Sequence, residues 1–191
     1  MLILASASPR RRELLAMLGL HVEVHPAHIG EERRPGEEPV PYAERLAREK
    51  ARSVKGGLVL GADTIVLIDD EVLEKPANEA DALRMLRRLQ GRTHRVVSSV
   101  ALAADGRILQ ATDITSVTFR ACDDEFLKAY IATGEPMDKA GAYGIQGYGA
   151  ALVERIDGDF FGVMGLPVRL VIRLLEQAGQ TYEFRGLRTE D

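Results

Sequence analysis

The sequence predicts an α/β fold, a mixed and twisted sheet with flanking helices, and three observations carry that expectation. Apolar runs of strand length and amphipathic runs of helix length alternate along the chain, but irregularly. Turn pairs at Asp69-Asp70, Asp105-Gly106 and Asp157-Gly158 fold successive strands into hairpins, which a purely parallel sheet lacks. The chain has 191 residues, 46% hydrophobic and 28% charged, which suits one globular domain with a sizeable core. The expected arrangement is three-layered and contains a cleft.

The elements follow in order. Leu2 to Ala5 form a short buried strand. Ser8 stands at an N-cap position and Pro9 at the first helical position, where a missing N–H costs nothing. Leu14, Leu15 and Leu18 give that helix one apolar face, and Gly19 stops it. Leu20 to Val24 alternate as a second strand. Residues 26–41 are polar and rich in proline and glutamate, hence a loop whose carboxylates are mostly solvated. Tyr42 to Val54 read as a helix that places Lys50 beside an apolar seam. Leu58 to Ile68 make a strand interrupted by Asp63-Thr64, and Glu71 to Glu74 return from it. Asn78 caps a helix running to Leu89, with Gly91 at its end.

His94 to Ala104 and Arg107 to Phe119 pair across Asp105-Gly106, and Asp123 or Asp124 caps a helix through Ala132. Gly134, Gly141, Gly144 and Gly147 define a loop whose backbone can approach a partner closely, with Lys139 and Gln146 as the polar side chains to meet it. Ala151 to Ile156 and Phe160 to Met164 are expected as paired strands. Pro167 opens a final amphipathic helix to Ala178. Residues 1–180 are expected as a single bilobed domain, and residues 181–191 as a polar, peripheral tail.

Charge and cysteine content narrow the function. Twenty-nine acidic against 25 basic residues give a net charge of −4 and a pI near 5.7. That balance argues against broad binding to nucleic acid or membrane surfaces by charge alone. The single cysteine, Cys122, excludes an intrachain disulfide and a thiolate zinc cluster. With no long apolar run and no leader ahead of Ser6, the expected location is the cytoplasm. The basic residues are 20 Arg and only five Lys, so each lysine is a candidate for a place that needs a compact ammonium.

Two stretches carry chemistry. Arg10, Arg11 and Arg12 crowd the first turn of a helix, where cations oppose the helix dipole by roughly 0.3–1 kcal/mol each when exposed. A serine-rich entry, unbonded helix N–H groups and guanidinium groups make an anion site there. Successive helical residues diverge by about 100°, so Ser8, Arg10 and Arg11 are assigned to the ligand and Arg12 to solvent. The other stretch is Asp63. A carboxylate inside an apolar strand is expensive unless paired or bound to metal. The plain alternative is a bend at Gly61 with Asp63 capping it, but apolar residues resume at once, which favours a functional carboxylate. Glu31 and Asp63, oxygen donors only, point to a hard cation such as Mg²⁺ or Mn²⁺. Arg10, Arg11, Lys50, Lys75 and Lys139 supply positive charge for a polyphosphate. Neither a Walker A motif nor a dinucleotide-binding glycine unit is present. A phosphoanhydride cut by metal-activated water fits these pieces best.

Ser6-Ala-Ser-Pro-Arg-Arg, Leu46-Ala-Arg-Glu-Lys-Ala, Gly61-Ala-Asp-Thr, Glu74-Lys-Pro, Gly91-Arg-Thr-His and Asp138-Lys-Ala-Gly-Ala-Tyr-Gly-Ile-Gln-Gly resemble the motifs of the Maf family of nucleoside triphosphate pyrophosphatases. They occur in order between residue 3 and about residue 175. The resemblance implies two lobes around a nucleotide cleft, as in inosine triphosphate pyrophosphatases. It also implies a divalent cation, release of pyrophosphate to leave a nucleoside monophosphate, and a homodimer. By resemblance Asp63 is the proton acceptor, Glu31, Lys50 and Lys75 are the other catalytic charges, and Ser8, Arg10 and Arg11 bind substrate phosphate. Thr64 and Gln146 match positions that help choose the base.

An amide at Gln146 offers a donor and an acceptor, matching O4 and N3–H of uracil and thymine, whereas guanine presents two neighbouring donors. Cytosine can also be matched by a flipped amide. The Asp138 to Tyr143 run resembles the branch acting on thymidine and uridine triphosphates. A nucleotide-binding regulator of septum formation with little turnover is the alternative reading. A single-strand nucleic-acid binder is disfavoured by 5% aromatic content and the negative charge.

Overall fold

The computed structural model describes residues 1–184 and 186–188. Among these, a mixed sheet of seven strands has the order β2-β1-β3-β5-β6-β7, with β4 paired to β3. The strands are β1 (Leu2–Leu4), β2 (Val22–Val24), β3 (Leu58–Ile68), β4 (Glu71–Leu73), β5 (Thr93–Ala104), β6 (Arg107–Phe119) and β7 (Val153–Asp157). The helices are α1 (Pro9–Met17), α2 (Pro39–Ser53), α3 (Glu79–Leu89), α4 (Asp124–Ile131), α5 (Phe160–Met164) and α6 (Val168–Gln177). Strand β1 runs parallel to both β2 and β3, whereas β3 with β4 and β6 with β7 are antiparallel. This is the mixed α/β architecture that the irregular alternation and the hairpin signals predict.

The chain divides into two compact units, Met1–Asp63 with Ser98–Asp113 and Gly165–Asp191, and Thr64–Val97 with Ile114–Met164. Strands β3, β5 and β6 carry the chain from one unit into the other. In the first unit Ile3, Ala5 and Val59 pack together, and Ala47 and Ala51 of α2 pack against Ala101 of β5. The second unit has a larger core in which Val66, Ile68, Leu86, Leu89, Phe119 and Leu152 are fully enclosed.

Several elements differ from the sequence reading. Helix α2 begins at Pro39, three residues before the expected Tyr42, because prolines are harmless in a first turn whose N–H groups lack helical partners. Phe160 to Met164 form a short helix instead of a strand paired through Asp157-Gly158. The side chain of Asp159 accepts from the Gly162 N–H at 3.0 Å, and the Asp159 N–H donates to Thr115 Oγ1 at 2.7 Å. Those bonds close a helical turn where a hairpin would have left them open. Ser8 occupies the N-cap of α1, but its side chain makes no capping bond. Its N–H donates instead to Ser6 Oγ at 3.2 Å. In the expected tail, β8 (Tyr182–Glu183) pairs with β9 (Gly186–Leu187), and the Tyr182 hydroxyl donates to the Leu18 carbonyl at 2.9 Å. Arg185 and residues 189–191 of that tail lie outside the described residues. Among the described residues no helix is long and apolar enough to cross a membrane.

One contact fixes the placement of α2. A Cβ on Gly61 of β3 would stand 2.3 Å from the Ala47 carbonyl oxygen and 2.5 Å from the Ala51 nitrogen. Only glycine lets the helix backbone come so close, and β3 runs through this point without the bend that Gly61 otherwise suggests. Replacement by alanine sets a methyl group against main chain that cannot rotate away. Gly61→Ala is therefore expected to lower unfolding free energy by about 1–3 kcal/mol, read from urea denaturation. A variant as stable as the wild type would show that helix and strand are free to separate.

Candidate functional site

The first unit assembles a compact group of charges from four segments. Its centre is Lys50, one turn before the end of α2 and 6% exposed. Its ammonium lies 2.8 Å from Asp63 Oδ1 and 2.8 Å from Glu31 Oε1. Asp63 is enclosed in β3, with its side chain 9% exposed, whereas that of Glu31 is 54% exposed. Burial of Asp63 is tolerated because the paired ammonium replaces the water it loses.

Arg11 completes the group from α1. Its Nη1 donates to Ser6 Oγ at 3.1 Å and to the Ala62 carbonyl at 2.9 Å, and its Nε donates to the Gly165 carbonyl at 2.9 Å. Burial pulls its pKa down, and attraction to Asp63 and Glu31 opposes that shift. The guanidinium thus braces the helix entry against the residue preceding Asp63. Arg10 and Ser8 are half-buried in the same turn, and Arg12 is exposed.

Glu31 owes its position to residues that the sequence did not single out. The Tyr42 hydroxyl donates to the Glu31 carbonyl, and Arg45 Nη2 donates to the Glu32 carbonyl at 3.0 Å. Arg45 also grips Glu37, with Nε–Oε1 at 2.6 Å and Nη2–Oε2 at 2.8 Å, and reaches Glu49 at 3.1 Å. Hydrogen bonding to Arg45 pushes the Glu37 carboxyl down to about 2. Glu37 is therefore a structural anchor and not the solvated carboxylate expected of this loop. The spacing of Arg45 and Glu49, one helical turn apart, was the available signal.

The second unit holds the remaining expected residues. Thr64 follows Asp63 on β3 and is half-buried. Lys75 is exposed on the link between β4 and α3. The Gly141 N–H donates to the Glu74 carbonyl at 3.1 Å, which ties the glycine-rich loop to the residue before Lys75. Gly141 has φ of +69°, and a Cβ there would meet Val66 at 2.8 Å, so this tie needs glycine. Lys139 is turned back on its own loop, where its ammonium donates to the Glu135 carbonyl and to Asp138 Oδ1 at 2.6 Å. Gln146 is half-buried, and its Oε1 is enclosed without a hydrogen-bond partner. Among the described residues no three His, Cys, Asp or Glu side chains gather as a ready-made metal cage.

The family model described as Maf-like protein matches residues 1–178. The chain belongs to the Maf family. A protein of Koribacter versatilis is 52% identical over 182 residues, covering 93% of this chain and 94% of its own. Another, from Chromobacterium violaceum, is 51% identical over 185 residues, covering 92% and 93%. A third, from Escherichia coli K12, is 49% identical over 189 residues, covering 96% of each chain. All three are named dTTP/UTP pyrophosphatase.

The Maf motif Gly91-Arg-Thr-His ends in a buried, packed histidine. His94 is 2% exposed and stacks edge-on to Phe119 and Tyr143, with Nε2 2.8 Å from the Tyr143 hydroxyl. Burial pushes the Tyr143 hydroxyl pKa up and pulls His94 down from 6.5 to about 4. An unfolded His94 binds a proton below about pH 6.5, the folded one only below about pH 4. Between these values the unfolded state holds more protons, so the contribution is full above pH 6.5 and is lost as the pH falls towards 4. The loss amounts to about 3 kcal/mol. Stability measured against pH should fall across this window in the wild type and fall less steeply in His94→Phe; equal slopes would mean that His94 titrates normally.

Proposed function

We propose that this Maf protein is a nucleoside triphosphate pyrophosphatase acting on thymidine and uridine triphosphates. The observation that carries the reading is the buried Lys50 ammonium shared by Asp63 and Glu31, with Arg11 beside them. It is supported by relatives of about 50% identity that are named dTTP/UTP pyrophosphatase. Attack by water on the α-phosphorus forms one P–O bond and breaks the bond to the β-phosphate, giving a nucleoside monophosphate and pyrophosphate. Asp63 accepts the proton of the attacking water, and Lys50 stabilises the carboxylate and holds its orientation. Arg10, Arg11 and Ser8, at the entry of α1, bind phosphate oxygens, where guanidinium and helix N–H groups both favour an anion. Lys75 and Lys139 are assigned to the charge of the phosphate chain, and Thr64 and Gln146 to the base.

A divalent cation fits this donor set. Two carboxylates, oxygen donors throughout, match a Mg²⁺ or Mn²⁺ ion that completes its shell with substrate phosphate and water. Asp63 and Glu31 would hold it, and when bound it would offset phosphate charge and acidify a water. The more exposed Glu31 can swing towards an ion while Asp63 stays fixed. The reading extends to a cytoplasmic homodimer.

The test is pyrophosphate release from a panel of nucleoside triphosphates with Mg²⁺, and with chelator added. General-base removal costs ~10²–10⁴ in rate, so Asp63→Asn should lower kcat by at least a hundredfold, and chelation should abolish turnover reversibly. A folded Asp63→Asn enzyme with near-normal kcat overturns the assignment. For the base, a mismatched buried pair costs about 1–3 kcal/mol, so kcat/KM should favour the thymidine over the guanosine substrate by roughly 5- to 150-fold. Gln146→Glu should narrow that ratio. Equal cleavage of both by the wild type would remove Gln146 as the base reader.

A further inference from the structure

The segment carrying Gln146 is bent around one carboxylate that the catalytic reading leaves unused. Glu135 Oε1 accepts from the Tyr130 hydroxyl at 2.9 Å and from the Gly149 N–H at 2.9 Å. Its Oε2 accepts from the Tyr148 N–H at 2.9 Å. The Tyr130 hydroxyl in turn accepts from the Gly144 N–H at 3.1 Å. One carboxylate and one phenol therefore hold the main chain on both sides of Gln146. Bonds from N–H groups to a charged carboxylate are about twice as strong as neutral ones.

The close approach is built into the glycines. Gly147 has φ of +77°, and a Cβ there would stand 2.3 Å from Glu135 Oε2. A Cβ on Gly149 would stand 2.1 Å from the Gly144 carbonyl oxygen and 2.8 Å from the Tyr130 hydroxyl. Any side chain at 147 or 149 would push the segment off the clamp. The clamp holds the chain on either side of a half-buried side chain whose Oε1 is enclosed without a hydrogen-bond partner. An enclosed acceptor that lacks a donor costs free energy, so the amide keeps this orientation only because the segment around it is held.

We propose that Glu135, through Tyr130 and the Gly144 to Gly149 turn, is the positioning residue that fixes the orientation of the Gln146 amide and so sets base selectivity. The proposal rests on the reading of Gln146 as base reader and adds the residues that aim it. Glu135 does not touch the nucleotide. With the main chain held on both sides, the Gln146 amide is set to pair with the O4 and N3–H edge of thymine or uracil; with the clamp loosened, the amide turns and tolerates other edges.

The experiment compares wild type with Glu135→Gln, which keeps size but cannot accept two bonds at one oxygen and a third at the other. Tyr130→Phe serves as a milder second variant. Kinetics with thymidine, cytidine and guanosine triphosphates should show the thymidine preference falling roughly tenfold in Glu135→Gln. The fall should come from a higher KM for the thymidine substrate, with kcat little changed, and Tyr130→Phe should shift it in the same direction. A merely structural role would lower activity on all bases alike and leave the ratio intact, which would overturn the proposal. Equilibrium binding of thymidine and guanosine monophosphates to the same proteins reads the clamp without turnover. A wild type that releases no pyrophosphate overturns the activity reading, while a monophosphate preference that drops in both variants still supports the clamp. Absence of any base preference in wild-type binding overturns it.

Discussion

The contact between Gly61 and the backbone of α2 sets the geometry on which the charged group depends. Ala47 and Ala51, the two residues that meet Gly61, bracket Lys50 in sequence. The close crossing carries the Lys50 side chain to the strand beside it, where Asp63 lies two residues beyond the glycine. A larger residue at 61 would lift the helix, lengthen the 2.8 Å contact to Asp63 and strand a carboxylate in an apolar strand. Helix packing and the electrostatics of the group are thus one constraint, because a buried ion pair tolerates little error in separation.

The two carboxylates that share Lys50 are held by different means. Asp63 is locked by sheet hydrogen bonding and by burial. Glu31 sits on an irregular loop whose main chain is pinned by Tyr42 and Arg45 while its side chain remains largely in water. A fixed carboxylate suits proton transfer, which needs a set direction. A pinned backbone with a half-exposed carboxylate would suit a donor that must follow ligand in and out. Arg45 is central to the second arrangement, since Glu37 and Glu49 neutralise it while it still reaches the Glu32 carbonyl.

Local chemistry made much of this legible in the sequence. The Asp105-Gly106 turn specified the β5–β6 hairpin because positive φ at both positions, 49° and 75°, is what that dipeptide tolerates. Asn78 marked the start of α3, and of the two aspartates offered for α4 it is Asp123 that caps it, because in each case the side chain bonds the next turn. Asp63 stood out because one carboxylate broke an apolar run. What stayed hidden depends on residues far apart in sequence. Arg11 reaches Gly165 across 154 positions, and the Glu135 clamp reaches Tyr148 and Gly149 across 13 and 14. No periodicity or cap rule encodes such a pairing. The α5 error has the same origin, since Thr115 on another strand helps decide the turn at Asp159.

Lysine usage shows how far composition alone can be pressed. In a chain that uses arginine by default, a rare lysine suggested a need for a compact ammonium, and Lys50 meets it. A compact point charge with three rotatable donors can sit between two carboxylates approaching from different segments without the fixed in-plane geometry of a guanidinium. Arg11 shows the converse, because its Nε and Nη1 alone reach a hydroxyl and two carbonyls, a bracing role that a single ammonium fills poorly. Lys128, exposed on α4, has no such duty, so the composition argument selects positions only when burial is added to it. Rarity raised the question at five places, and burial between two carboxylates answers it most fully at Lys50.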